Sequence, residues 1–178
     1  MTLIGECLCF GKGCKRNLKR GLELIVKAAV KEHPNAQYLL GLLYNGKFLG
    51  TSDSFLVKNE FGRSLNDRYL SAFWKYRAAM NGHSYAQYLF AEECHHGKYD
   101  FGILNQDIFY LYSLSAEQGV FKAAVQILHI LFNEQNGKNT FYNKELGIAL
   151  ANKYIHQFND YSSISELEWI LRKYKISL

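Results

Sequence analysis

Ala78–Ala91 reads AAMNGHSYAQYLFA, and AAVKEHPNAQYLLG at Ala28–Gly41 repeats this stretch 50 residues upstream. Both copies contain a double alanine, a break and the motif AQYL at the same spacing, which chance rarely produces. A weaker third copy, SAEQGVFKAAVQIL, lies at Ser115–Leu128. Such regular self-similarity is typical of repeat proteins, in which each unit buries its apolar side only against its neighbours. The sequence therefore predicts a helical repeat protein.

The composition is that of a globular chain. It has 178 residues, of which 48% are hydrophobic and 15% aromatic, too many core-forming side chains for a disordered segment. No run approaches the roughly 20 apolar residues of a membrane span, and the charges of the N-terminal stretch follow its apolar part, the reverse of a signal peptide. We therefore expect a soluble, cytoplasmic protein. The four cysteines do not pair by repeat position, so we expect buried free thiols.

Helices are indicated by apolar residues at helical spacing and by capping residues. Asn17 precedes one such pattern as an N-cap, and Asp67 is expected to be the first residue of another helix. Pro34 lies where a helix start tolerates it, and Ser163 with Glu166 forms a capping box before the last helix. We predict helices over 3–10, 18–31, 35–45, 67–81, 85–96, 106–117, 121–133, 144–157 and 166–175.

The repeats define the domain organisation. We predict one domain, 1–178, with four helix-pair repeats at 1–35, 36–85, 86–122 and 123–158, and a capping helix at 162–176. Equivalent alanines of the second and third copies, Ala86 and Ala123, are 37 residues apart, whereas Ala36 and Ala86 are 50 apart. An insertion at 46–66 accounts for the difference. Insertions in repeat proteins form loops on one face, often the functional one.

These units resemble Sel-one-like repeats, which are tetratricopeptide-like α/α repeats. The matching residues are Gly5, Gly11, Gly13, Lys27, Ala28, Ala29, Ala36, Gln37, Tyr38, Leu40, Gly41, Tyr44, Asp67, Trp74, Ala78, Ala79, Gly82, Ala86, Gln87, Tyr88, Gly97, Tyr112, Ala116, Gly119 and Ala123. Ala91, Leu128 and the insertion depart from the family pattern. The resemblance implies an all-α fold, a right-handed α/α solenoid of about four repeats with a C-terminal capping helix. It also implies a protein-binding role, since relatives act as adaptors or, in bacteria, as immunity proteins.

Two clusters invite a chemical interpretation. Cys94 lies beside His95 and His96, as in a thiol hydrolase, but neighbouring helical residues point about 100° apart and do not readily share one ion. Cys7, Cys9 and Cys14 have the ligand type of a zinc site without a fourth ligand. A buried thiol beside exposed histidines is the favoured interpretation of the first cluster. We predict no catalytic residue, no metal and no cofactor.

Binding residues are expected along the concave groove of the solenoid. By the tetratricopeptide analogy, positions off the packed stripe of three equivalent helices face this groove, and the histidines and aromatic rings there are typical interface anchors. They are Tyr38, Leu42, Asn45, Tyr88, Glu92, His95, His96, His129 and Phe132. Tyr38 and Tyr88 are equally interpreted as packing residues of the family.

A basic run follows the first helix, and the chain has a net charge of +5. It is either a solvated face, which is the usual case, or a patch for an acidic protein partner. No nucleic-acid motif accompanies it. The run consists of Lys12, Lys15, Arg16, Lys19 and Arg20.

The predicted function is non-enzymatic protein binding. A short array with an end cap favours a dedicated bacterial binder that neutralises a cognate toxin or effector, an immunity-type role. The alternatives are a general adaptor in signalling or host interaction and, third, a thiol hydrolase that uses Cys94.

Overall fold

The computed structural model describes residues 1–45, 67–99, 102–133 and 141–177. Within these ranges the chain forms nine α-helices, so the predicted all-α class is confirmed. They are α1 (Thr2–Phe10), α2 (Leu18–Val30), α3 (Pro34–Tyr44), α4 (Arg68–Met80), α5 (Ser84–His95), α6 (Asn105–Glu117), α7 (Phe121–Phe132), α8 (Lys144–Gln157) and α9 (Tyr161–Lys173). None of these helices is long and apolar enough to cross a bilayer. The insertion predicted at 46–66 lies outside the described residues.

Local capping explains where several helices begin. The Asn17 carboxamide accepts a hydrogen bond from the Arg20 amide at the start of α2, and the Asp67 carboxylate accepts bonds from Tyr69 and Leu70 at the start of α4. Pro34 occupies the first turn of α3, where its missing N–H leaves no bond unmade. The predicted N-cap Asn17 is confirmed, whereas α3 begins at Pro34, one residue before its predicted start, and α4 begins at Arg68, one residue after it, because Asp67 is the N-cap.

The start of the last helix corrects the sequence prediction. The side chain of Asp160, not Ser163, caps α9 by accepting a hydrogen bond of 2.9 Å from the Ser163 amide. The hydrogen bonds from Ser163, through its side chain and its backbone, lower the pKa of Asp160. The predicted capping box at Ser163 is therefore wrong, and α9 begins five residues before Glu166.

The helices fall into two compact units, Met1–Phe90 and Ala91–Leu178, with the boundary inside α5. The single domain 1–178 and its repeat bounds stay a prediction.

In the first unit α1 to α4 pack in chain order around one hydrophobic core. Its fully covered members include Ile25, Ala36, Leu40 and Leu43. Small residues allow the close contacts. A Cβ atom on Gly21 would lie 2.7 Å from the Gly5 carbonyl oxygen and 2.8 Å from the Cys9 amide nitrogen, so α1 and α2 cross with their backbones nearly touching.

Buried glutamines join successive helices of the first unit. Gln37 donates to the carbonyl oxygen of Ala29, and Gln87, its equivalent in the next copy, donates to that of Ala79, both at 3.2 Å. Asn81 in turn donates to the Gln37 side-chain oxygen at 2.9 Å. Each of these carbonyls also accepts a backbone bond from the following turn, from the Glu32 or the Gly82 amide, so the AQY glutamine adds a second bond where the preceding helix ends. This bond gives the repeated motif its physical reason.

The second unit packs α6, α7, α8 and α9 around buried Tyr112, Ile127, Leu128 and Leu167. Its third copy carries Ala124 where the others carry glutamine. Gln157, at the end of α8, donates instead to the Ala116 carbonyl oxygen at 2.9 Å. Ala116 is the equivalent of Ala29 and Ala79, so the same carbonyl of the repeat is bonded, but here the donor comes from α8 and not from the next helix.

Candidate functional site

A groove of about 800 Å³ lies in the first unit between α1 and α3, with the end of α2 beside it. Its lining combines apolar surface from Leu3 and Leu39 with the polar side chains of Glu6, Lys31 and Tyr38. Leu3 is 76% exposed. The groove therefore offers a concave apolar surface with a few polar groups, the usual character of a binding site.

Tyr38 forms one wall of the groove together with His83. Their rings stack with centroids 4.2 Å apart and an angle of 26°. The His83 Nδ1 atom accepts a hydrogen bond from the Ala86 amide at 3.2 Å, which fixes the ring at the start of α5. Burial lowers the pKa of His83 and, with a contribution from Tyr85, raises that of Tyr38. Both rings are therefore neutral near pH 7 and present hydrogen-bonding tips on an aromatic surface.

Sequence reasoning missed His83 as a groove residue. A signal was present, because His33 and His83 occupy the same position of the two copies and both line the groove.

The charged side chains at the rim of the groove differ in whether they have a partner. Glu6 accepts a bond of 2.9 Å from the Lys12 ammonium. Lys31 is exposed, and no contact within the described ranges engages its ammonium group. The rim thus presents a cation for an acidic group of a bound segment.

Three predicted groove residues are buried, so the expectation that they are exposed is wrong. Leu42, Tyr88 and Phe132 have exposed fractions of only 7%, 6% and 5%. In α3 every residue from Leu40 to Tyr44 is buried, because this end of the helix is covered on all sides. Phe132 packs against Tyr174, with ring centroids 5.8 Å apart.

His129 is also covered by the chain itself. Its Nδ1 atom lies 3.1 Å from the hydroxyl oxygen of Tyr174, and its ring meets the edge of Trp169 at 6.5 Å. Burial, together with the positive charge of Lys173, lowers the pKa of His129. The capping helix region thus occupies the face of α7 that the analogy assigned to a partner.

Glu92, His95 and His96 lie at the end of α5 with accessible side chains. The Nδ1 atom of His96 is 2.8 Å from the Glu92 carbonyl oxygen, and the His95 ring meets Tyr112 edge-on at 6.1 Å. Partial burial and the neighbouring His96 lower the pKa of His95, while Glu92 opposes this effect. Asn45, the remaining predicted residue, is half-buried just after α3.

Cys94 does not have the surroundings of a nucleophile. Burial and, to a smaller extent, the Glu93 carboxylate raise its pKa to about 11, so the thiol is protonated at neutral pH. Glu93 itself binds the Lys98 ammonium at 2.6 Å. The pKa of His95, the next residue in the helix, is lowered by partial burial, so its ring is a poor source of the positive charge that would stabilise a thiolate.

The remaining cysteines differ in exposure. All four thiols are free, yet only Cys9 is fully buried, while Cys14 is exposed, which corrects the expectation of buried thiols. Burial raises the pKa of Cys9 to about 11. In the described part of the chain no three His, Cys, Asp or Glu side chains are placed to hold a metal ion.

The basic run divides into two groups. The Lys12 ammonium binds Glu6, and the Arg16 guanidinium donates to the Cys9 carbonyl oxygen at 2.9 Å, which satisfies the end of α1. Lys15, Lys19 and Arg20 are exposed. Part of the run therefore serves the fold, and three cations remain directed at solvent.

Comparison with known proteins bears on the fold. No family model and no curated protein matches this sequence. The structure is similar to that of a Sel1 repeat protein from Oxalobacter formigenes, with a TM-score of 0.63 and 22% identity, over 88% of this chain and 58% of that one. It is also similar to a protective antigen present in uropathogenic Escherichia coli strains and displaying an SLR fold, with a TM-score of 0.55 and 19% identity, over 97% of this chain and 37% of that one.

These similarities confirm the α/α solenoid fold of Sel-one-like repeats that the sequence predicted. This chain spans little more than half of the first protein and about a third of the second.

Proposed function

We propose that this chain, which shares its fold with Sel1 repeat proteins, binds a protein partner in the groove between α1 and α3 and catalyses no reaction. The observation that carries this proposal is the groove itself, about 800 Å³ in volume, with an apolar lining beside the stacked pair Tyr38–His83 and the exposed Lys31. Aromatic rings with polar tips give large contact area at low conformational cost. A segment with an apolar side chain and a nearby carboxylate fits this lining.

The chemistry of the described residues supports binding over catalysis. A nucleophile needs a base within hydrogen-bond reach and a lowered pKa, whereas Cys94 has a raised one. The polar residues of the copies also have structural tasks, since Gln37, Gln87 and Gln157 close helix ends.

Two further groups of accessible residues, one in each unit, belong to the same proposal. Glu92, His95 and His96 in the second unit present two imidazoles and a carboxylate, and Lys15, Lys19 and Arg20 in the first unit present cations for an acidic partner. We infer from the coverage of His129 and Phe132 by the α9 region that these two act in packing.

The finer proposal is a cytoplasmic, bacterial, immunity-type protein that neutralises one cognate toxin or effector. Its support is the groove, whose apolar lining, stacked Tyr38–His83 pair and exposed Lys31 suit one specific protein segment. The second candidate is an adaptor in signalling or host interaction, which is favoured by the similarity to a protective antigen of uropathogenic strains.

The test is affinity capture from the source cells with three forms of the chain. We expect the unmodified chain to retain one protein tightly, Tyr38→Ala/Lys31→Ala to lose it, and Tyr161→Ala to keep it. Tyr161 is a matched control because its ring is 88% exposed and lies outside the groove. A partner encoded beside this chain supports neutralisation, whereas several unrelated partners support an adaptor. Equal capture by all three forms would place binding outside the groove.

A further inference from the structure

The outward face of α4 is apolar along its whole length. Tyr69, Phe73, Tyr76 and Met80 are 58%, 45%, 40% and 51% exposed. Their spacing of four, three and four residues places them within one narrow stripe, while the opposite side of the helix buries Ser71, Ala78 and other small residues. The stripe extends about 16 Å, at 1.5 Å per residue. On an ordinary surface helix, the residues on the solvent-facing side are polar.

Other copies show that the repeat does not require this apolar stripe. The positions of Tyr69 and Phe73 are occupied in α2 by Lys19 and Glu23, both exposed. In α6, Gln106 and Glu117 stand at the positions of Tyr69 and Met80. The helices of those copies form with charged or polar residues there. The copies keep apolar residues at some of the other stripe positions, namely Val26 and Val30 in α2 and exposed Tyr110 in α6. Of these three helices, only α4 has a large apolar side chain at all four positions, so the complete stripe is not a requirement of the repeat.

The edges of the stripe are positively charged. The Arg68 guanidinium lies 4.9 Å from the centre of the Tyr69 ring, and that of Arg77 lies 5.9 Å from the centre of the Phe73 ring. Arg77 also binds the Glu32 carboxylate at 2.7 Å, so this edge already holds one carboxylate of the chain itself, and a partner's carboxylate would share the Arg77 guanidinium with it. The helix itself contains no acidic residue. Aromatic side chains, methionine and arginine are the types enriched at protein interfaces.

We propose that the stripe Tyr69, Phe73, Tyr76 and Met80 docks an amphipathic helix of a protein partner whose apolar residues are flanked by aspartate and glutamate. Such a helix packs its apolar ridge along α4 and directs its carboxylates to Arg68 and Arg77, in the manner of other helix-recognition surfaces. No α4 residue lines the groove of the proposed function, so this is a separate surface. The inference therefore does not depend on the groove.

The test uses a fluorescein-labelled peptide of about 18 residues, long enough for five helical turns. It carries leucine at i, i+4, i+7 and i+11 and glutamate and alanine elsewhere, and a matched peptide replaces each glutamate by lysine. Fluorescence anisotropy gives the affinities. We expect the glutamate peptide to bind the unmodified chain and Phe73→Gln/Met80→Gln to weaken it about ten-fold or more, as loss of interface anchors does. The lysine peptide should bind far more weakly, and added salt should weaken the glutamate peptide.

Two control variants separate this surface from others. Lys19→Gln/Glu23→Gln changes the equivalent positions of α2, and Tyr38→Ala/Lys31→Ala changes the groove; both should bind the glutamate peptide like the unmodified chain. Thermal unfolding checks that each variant folds, and Tyr69→Gln/Met80→Gln replaces the first double variant if that one does not.

The proposal is overturned if the glutamate peptide fails to bind the unmodified chain, if the stripe variants bind it equally well, or if the lysine peptide binds as tightly. Sedimentation of the unmodified chain tests whether a second copy of the chain, and not a partner helix, covers the stripe. We expect a monomer, and a dimer that Phe73→Gln/Met80→Gln dissociates would assign the stripe to a second copy and overturn the proposal.

Discussion

Gly21→Ala tests the close crossing of α1 and α2. Alanine in a helix interior is normally more stable than glycine, by roughly 0.5–1 kcal/mol. At this position, however, the new Cβ would lie 2.7 and 2.8 Å from the backbone atoms of Gly5 and Cys9. Backbone atoms cannot rotate away as a side chain does, so the helices must separate, at the 1–3 kcal/mol typical of overpacking. The steric effect exceeds the propensity gain, and we expect a net loss of about 1–2 kcal/mol.

Thermal unfolding measures this loss. For a chain of this length 1 kcal/mol shifts the midpoint by about 2–4 °C, so Gly21→Ala should melt about 2–8 °C lower. The matched control is Glu23→Ala compared with Glu23→Gly, since Glu23 is exposed two residues later in the same helix. There alanine should be the more stable. If Gly21→Ala raised the midpoint as the control pair does, the crossing would not be as close as described.

Three further predictions concern single side chains. Gln37→Leu should lower the free energy of unfolding by about 0.5–1.5 kcal/mol for each hydrogen bond lost, which are the bond to the Ala29 carbonyl and the bond from Asn81; an unchanged urea midpoint would mean that neither bond is needed. The pKa of His129 is lowered in the folded chain, so the unfolded chain binds a proton there more readily, and the free energy of unfolding should fall as the pH drops below about 6.5. His129→Asn should therefore flatten the dependence of the urea midpoint on pH. The control His156→Asn, at an exposed position, should not. In native labelling with iodoacetamide near neutral pH, exposed Cys14 should react first, Cys94 slowly because its pKa is about 11, and Cys9 only on unfolding, whereas rapid labelling of Cys94 that is lost in His95→Ala would support the thiol hydrolase.

The fold could be predicted because its determinants are local or repeated. A double alanine and AQYL recur at fixed spacing, and Asn17 and Asp67 cap helices with side chains that no competing residue replaces. At the last helix Asp160 and Ser163 are both good caps three residues apart. Only the structure shows that Ser163 is 7% exposed and donates its amide to Asp160, so sequence alone could not decide between them.

The candidate site was harder to predict because exposure depends on distant segments. Tyr38 and His96 are accessible as expected, but the exposure of His129 and Phe132 is decided by Tyr174, more than 40 residues away. The stripe on α4 was overlooked for another reason. An apolar run in a helix is normally assigned to the core, and Phe73 and Met80 became notable only when their exposure was known.

The bond from Gln157 to the Ala116 carbonyl has a consequence for truncation and redesign. In an idealised repeat array each unit contacts only the next, and shortening it from one end leaves the remaining units intact. Here a donor 41 residues downstream adds a second hydrogen bond to the Ala116 carbonyl, which also accepts from the Gly119 amide at 3.0 Å. A fragment that stops before Gln157 would lose one of these two bonds at the end of α6. Unfolding of α8 should therefore loosen α6, a coupling that skips an element along the chain. In a shortened form, Ala124→Gln would supply the missing amide from within its own repeat.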